Sequence, residues 1–110
     1  YNSIIYYKNI FFYNYDIYSG IDYQFDITRP VGQRVTRLTY HGQSIQPDQN
    51  LDVAMNQYRG NGGGDYPMFT PDKVIREINT DMAELIRQYF ATHPVVTGQP
   101  QTNFSVKVTE

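Results

Sequence analysis

Residues 21–28, IDYQFDIT, alternate between apolar and polar positions. Ile21, Tyr23, Phe25 and Ile27 fall on one side, and Asp22, Gln24 and Asp26 on the other. That period of two predicts a strand with one wet face. Residues 34–40, RVTRLTY, predict a second, less regular strand. Thr36, Leu38 and Tyr40 share one face, while Val35 falls with Arg37 and Thr39 on the wetter one. Between the two, Pro30 pushes Arg29 out of helical space and Gly32 permits a turn. HGQSI predicts a tight hairpin turn around Gly42 and a short returning strand. QPDQN, 46–50, reads as a loop. Residues 51–58, LDVAMNQY, alternate again through Leu51, Val53 and Met55, and predict a further strand. NFSVKV, 103–108, predicts a last one. Upstream, the β-forming segment IIYYKNIFFYNY lacks helical periodicity, and parts of it are expected to be extended.

The stretch TPDKVIREINTDMAELIRQYFATHP, 70–94, fits two patterns. One is a single long helix capped by Thr70, with Pro71 at its first position and an apolar stripe from Val74 to Phe90. The other is a short strand, KVIREI, followed by a helix from about Thr80. There Asn79 and Thr80 are capping residues and Asp81 complements the dipole in the first turn. Both readings end the helix at His93 and Pro94. The expected class is therefore α+β: a mainly antiparallel or mixed sheet packed with a C-terminal helix, in a single domain over 1–110.

Composition narrows the chemistry. The net charge of −2 argues against a nucleic-acid polymer as partner, which would call for a basic field. There is no cysteine, so neither a disulfide framework nor thiolate chemistry is available. No apolar run approaches the roughly 20 residues of a membrane span. His41 and His93 have no ligand partner at metal spacing, and each suits a turn or a helix end. No serine sits in a nucleophile elbow, and no paired carboxylates suggest acid–base work. Asp22 and Asp26 read as solvated residues on the wet strand face. The chain thus offers no complete catalytic set.

What stands out is aromatic content beside glycine. Eleven tyrosines and six phenylalanines occur with no tryptophan. In NQYRGNGGGDYPMF, 56–69, Tyr58 and Arg59 precede Gly60, Gly62, Gly63 and Gly64. Glycines there permit positive φ and close approach to the main chain. No Gly-Lys-Ser/Thr ending follows, so this is not a phosphate-binding P-loop. A plain flexible connector and a ligand loop both fit. A ring at the mouth of open backbone amides is what the second would use, and the residues alone leave both open.

The run NYDIYSGIDYQFDITRPVGQRVTRLTYHGQSIQPDQNLDVAMNQYRGNGGGDYPMF resembles the C-terminal domain of the 5'-nucleotidase family. It is most similar to the bacterial 2',3'-cyclic-nucleotide 2'-phosphodiesterase/3'-nucleotidase branch. The resemblance rests on NYD…GIDYQFDIT, RPVGQRV and N-x-Y-R-x-x-GGG in that order. It extends more loosely through AELIRQYF to NFSVKV. It implies a nucleoside-binding domain in which two aromatic rings sandwich the base; carried onto this chain these are Tyr15 and Tyr58. Arg59, Gly62, Gly63 and Asp65 are further candidates for substrate contact. Many 5'-nucleotidases carry Gly-Gly-Asp-Gly in this loop; here Gly64 takes the position of that acid and Asp65 follows it.

The resemblance also implies an extracytoplasmic parent that hydrolyses phosphate esters in nucleotide catabolism. Its chemistry would sit at two divalent metal ions in a separate N-terminal metallophosphatase domain. The family's Asn-Gly-Gly-x-x-Arg segment would lie upstream of Tyr1. The expectation is thus a partial domain, truncated at its N-terminus and inactive as a hydrolase alone, with a nucleotide or nucleoside and the metallophosphatase domain as partners. The alternative is a standalone aromatic-rich module that binds carbohydrate or another small ligand.

Overall fold

In the computed structural model, Ser3 and residues 12–109 are described, Phe12 through its backbone alone. The expectation of extended structure in 4–15 falls mostly outside these residues; Phe12–Asn14 form a 3₁₀ turn. The chain divides into two compact units, Tyr1–Asp52 with Gln101–Glu110, and Val53–Pro100.

In the first unit, Asp22–Asp26 (β1), Val35–Tyr40 (β2), Gln43–Ser44 (β3) and Phe104–Lys107 (β4) form one sheet in the order β3-β2-β1-β4. β1 runs antiparallel to β2 and parallel to β4, so the sheet is mixed. β2 and β3 are joined by His41 and Gly42, with φ of 50° and 77°. Two left-handed central residues are the pattern of a type I′ hairpin turn, which matches strand twist.

The irregularity of β2 has a structural cause. Gln24 pairs with Arg37 and Phe25 with Val35, which leaves Thr36 as an extra residue. This bulge brings Val35 opposite Phe25, on the face where Leu38 meets Tyr23. The simple alternation that put Val35 with Arg37 and Thr39 is corrected by it. The Thr36 hydroxyl is taken up at 3.2 Å by Gln24 Oε1, and Gln24 Nε2 donates to Ser105 Oγ at 3.1 Å. A polar ladder thus crosses the wet face of three strands.

The core is aromatic. Tyr23 and Phe25 are 3% and 4% exposed. Tyr23 stacks on Phe104 with centroids 5.5 Å apart, and meets Phe25 edge-on at 5.5 Å. Such pairs add specific geometry to area burial. Asn103, just before β4, holds the chain entering β1. Its Nδ2 donates to the carbonyls of Tyr18 and Ile21 at 2.6 and 2.7 Å.

Asp26 corrects the reading of a solvated strand face. It is 2% exposed, at the end of β1 where the chain turns. Its carboxylate accepts from Thr28 Oγ1 and Thr109 Oγ1, each at 2.5 Å, and from the Thr28 N–H at 3.1 Å. Arg29 Nε lies 3.5 Å away. The Thr109 and Thr28 hydrogen bonds hold its pKa at about 2, against the opposing effect of burial. Asp22 is exposed, as expected.

In the second unit, the expected strand over 51–58 does not form. Residues 51–56 carry no regular structure, and Gln57–Gly60 form one helical turn (α1). The reason is Asn56, whose Oδ1 accepts the Arg59 N–H at 2.8 Å and starts the turn. Of the two patterns expected for residues 70–94, the helix from about Thr80 to His93 forms, whereas neither the long helix from Thr70 nor the strand KVIREI does. Pro71–Lys73 form a 3₁₀ turn after Thr70, and residues 74–81 form neither strand nor helix. The α-helix spans Met82–Thr92 (α2). Its N-cap is Asp81, which accepts from the Ala83 N–H at 2.8 Å, rather than Asn79 or Thr80. His93 ends it, with Nδ1 3.0 Å from the Tyr89 carbonyl oxygen and its ring stacked on Tyr89. On α2, Arg87 makes a forked pair with Glu84 at 2.7 and 2.8 Å. That pairing draws the Glu84 carboxyl below its ordinary range.

Candidate functional site

The glycine segment is a built loop rather than a floppy connector. α1 is capped at both ends. After Gly60, Asn61 is the C-cap and Gly62 turns left-handed at φ 80°. The Gly62 N–H bonds the Arg59 carbonyl and the Gly63 N–H bonds the Tyr58 carbonyl, both at 2.9 Å. These are the paired 5→2 and 6→1 bonds of a Schellman motif, so Gly62 is demanded by a helix stop. Gly64 and Asp65 follow with φ of 73° and 61°. A non-glycine residue in this region is uncommon, and aspartate is among those that tolerate it best.

The Schellman geometry fixes which residue meets which. Tyr58 and Gly63 are the positions whose side chains meet in that motif. A Cβ on Gly63 would lie 2.5 Å from the Tyr58 carbonyl oxygen and 2.6 and 2.7 Å from ring carbons Cε2 and Cδ2. The Tyr58 ring therefore rests against the Gly63 main chain, where no side chain fits. The ring is otherwise open: Tyr58 is 65% exposed.

Beneath it, the chain folds back. The Tyr66 N–H bonds the Gly62 carbonyl, and the Phe69 N–H bonds the Tyr66 carbonyl, both at 3.1 Å. Tyr66 is fully buried and stacks on Phe69 with centroids 5.9 Å apart and planes 6° from parallel. The Arg59 guanidinium lies over the Tyr66 ring, its carbon 3.9 Å from the centroid, and 5.9 Å from that of Tyr58. Its Nη1 donates to the Gly63 carbonyl.

Of the sequence-predicted site residues, Tyr58, Arg59, Gly62 and Gly63 come together in this loop. Asp65 sits exposed at its far end. Tyr58 stands on a helical turn rather than at a strand end. Tyr15 belongs to the other unit. It is half-buried, with its ring 6.3 Å from Phe25 and tilted by 60°. The expectations missed Asn56, Tyr66 and Phe69. Asn56 was legible as a capping residue two positions before Tyr58. Tyr66 and Phe69 carry no local signal, because burial is a property of the folded loop.

A separate depression of about 360 Å³ in the sheet unit is lined by Gly20, Ile21, Asp22, His41 and Asn103. It holds none of the predicted residues. Among the described residues no three of His, Cys, Asp and Glu are grouped so as to hold a metal ion.

The model of the 5'-nucleotidase, C-terminal domain family matches residues 7–71, the span that carries Tyr15, the sheet's first three strands and the whole glycine loop. The chain belongs to this family. Its curated relatives are far longer than it is. The trifunctional nucleotide phosphoesterase protein YfkN of Bacillus subtilis is 29% identical over 90% of this chain and 8% of its own length. The 2',3'-cyclic-nucleotide 2'-phosphodiesterase/3'-nucleotidase of Salmonella typhimurium is 32% identical over 46% of this chain and 10% of its own. A Staphylococcus aureus protein described as a 5'-nucleotidase, crystallised with alpha-ketoglutarate, superposes with a TM-score of 0.74. It is 29% identical, over 86% of this chain and 18% of that one. The expected α+β class with a mixed sheet is thus the fold of a 5'-nucleotidase-like chain. No helix among the described residues is long and apolar enough to cross a membrane.

Proposed function

We propose that this chain supplies nucleoside binding to a nucleotide phosphoesterase, with Tyr58 as the platform on which the base stacks. The observation that carries this reading is the Tyr58 ring: open to solvent, yet seated against Gly63 by a doubly capped turn. An aromatic face held in place is what sequence-tolerant stacking on a base requires, and such stacking is worth about 1–3 kcal/mol per base. Membership of the nucleotidase C-terminal family supports a nucleoside as the occupant over a sugar. Tyr15 is proposed as a second ring for the base. Gly62 and Gly63 offer main chain that a ligand can approach, and Asp65 is the acid available to a ribose.

The chemistry of the parent is proposed to be phosphate-ester hydrolysis in an extracytoplasmic compartment, at two divalent metal ions held elsewhere. The described residues do not fit such ions, so no hydrolytic step is assigned to them. What this chain contributes is orientation, which removes entropy from the barrier when the reacting phosphate is presented in a fixed pose. The isolated chain is accordingly expected to bind without hydrolysing.

Titration of the chain with adenosine and 3'-AMP, followed by NMR shifts, tests this. Saturable shifts, at an affinity that Tyr58→Leu weakens by roughly 5- to 150-fold, are the expected result. A wild-type chain that shows no shift at millimolar ligand, or a Tyr58→Leu variant that binds normally, overturns it. Tyr15→Leu tests the second ring by the same titration.

A further inference from the structure

We infer that Arg59 is a positioning residue that sets the pose of the Tyr58 ring through Gly63, and not a group that touches the substrate phosphate. The inference rests on the proposed role of Tyr58.

A cation beside a candidate nucleotide site would ordinarily be assigned to phosphate. Here one of its donors and one side of its cation are already engaged. Nη1 is given to the Gly63 carbonyl, and the guanidinium carbon lies over a fully buried ring, Tyr66, 3.9 Å from its centroid. Tyr66 is in turn stacked on Phe69. Gly63 is the residue whose main chain lies against the Tyr58 ring. A continuous chain of contacts therefore runs from Phe69 through Tyr66, Arg59 and Gly63 to Tyr58.

Arginine suits this task where lysine does not. A planar fork can lie on one ring and still donate in its own plane to a carbonyl at the edge, whereas an ammonium is a point charge without a face. The contact over a buried ring is also partly desolvated, which strengthens a cation–π interaction. The functional consequence is pre-organisation. If Gly63 is held, the Tyr58 ring has a fixed backing before ligand arrives, and less freedom is lost on stacking.

The test places 3-fluorotyrosine at position 58 and compares wild type, Arg59→Met and Arg59→Lys. The ¹⁹F spectrum without ligand is the first reading. Both variants are expected to shift or broaden the position-58 resonance while keeping a cooperative thermal transition. Adenosine and 3'-AMP affinities are the second. Fixing one side chain corresponds to roughly 2- to 12-fold in affinity, so both ligands should weaken by about that factor and by the same factor. Loss confined to 3'-AMP would mean direct phosphate contact and would overturn the inference. So would an unchanged ¹⁹F resonance in a folded variant, or full rescue of affinity by lysine. Should Arg59→Met fail to fold, Arg59→Lys carries both readings. The ligand-free spectrum decides whether Arg59 positions the ring even if neither ligand binds the wild type, in which case the proposed function fails separately.

Discussion

Tyr23 in β1 and Tyr58 in α1 are the same residue type, yet Tyr23 keeps 3% of its surface and Tyr58 keeps 65%. Tyr23 is ringed by other aromatics: Phe104 stacked on it, Phe25 and Tyr18 edge-on, and the Tyr18 N–H donated to its hydroxyl at 3.3 Å. Every part of that side chain serves the fold. Around Tyr58 the burden of packing is carried by neighbours instead. Tyr66 is the buried ring, Arg59 covers it, and Tyr58 is left with one supported side and one open side. A ring that contributes little to stability and is nonetheless fixed is free to be used for binding. Composition sees eleven tyrosines; burial separates Tyr23, which holds the structure, from Tyr58, which is open and can hold something else.

Substitutions can break this contrast directly. Phe25→Ala, in the sheet core, should cost about 3–5 kcal/mol of stability, as deletion of a buried ring generally does. Tyr58→Ala should stay within about 0.5 kcal/mol of wild type, as exposed positions do. Urea unfolding followed by circular dichroism reads both, and comparable losses at the two positions would end the distinction. For ligand affinity the order reverses. Tyr58→Leu should lose the stacking term, about 1–3 kcal/mol, or roughly 5- to 150-fold in Kd for adenosine. Gly63→Ala attacks the support rather than the ring. Its methyl would overlap the Tyr58 carbonyl and ring, so a stability loss of about 1–3 kcal/mol is expected together with weaker adenosine binding. Thermal melts beside the titration would expose a methyl that the loop simply absorbs.

The sheet was legible in the sequence because its signals are local: alternation in IDYQFDIT, the turn around Gly42 in HGQSI, and β-formers in NFSVKV. Two things hid from the same reasoning. Alternation in LDVAMNQY looks like a strand, but a strand needs a partner, and the cap offered by Asn56 to Arg59 decides the local contest in favour of a helical turn. The Val35 anomaly could be seen but not resolved, since a bulge is a relation between two strands. At the site, the resemblance picked out Tyr58 and its glycines, and the structure added why those glycines are there. Tyr66 and Phe69 were out of reach. Nothing adjacent to them in sequence announces that they end beneath the loop.

A smaller effect sharpens the account of the loop. Asn56→Ala removes the N-cap of α1 and leaves the Arg59 N–H without its 2.8 Å acceptor. Loss of a cap costs about 1 kcal/mol. Because α1 is a single turn, that loss should appear as faster amide exchange at Arg59 and Gly60, with the sheet amides unchanged. Uniform change across both units would show that the turn is not an independent element.

The smallest effect near neutrality belongs to Asp26, and acid reveals it. Its carboxyl titrates near 2 in the folded chain, below its ordinary value of 3.8, because Thr109 and Thr28 donate to the charged form. The unfolded chain therefore binds this proton first. The stabilisation is fully present above the unfolded value and is lost as pH falls through that value toward the folded one. From pH 7 to 5 this group should leave the unfolding free energy unchanged, and below about 4 stability should fall. Thr109→Val removes the largest cause of the depressed pKa while keeping the carboxylate. The acid limb of its stability profile should be shallower than that of wild type, since the folded and unfolded pKa values then lie closer together. An unaltered acid limb would place the acid sensitivity of the fold in other carboxylates and reduce the Asp26 cluster to a local turn.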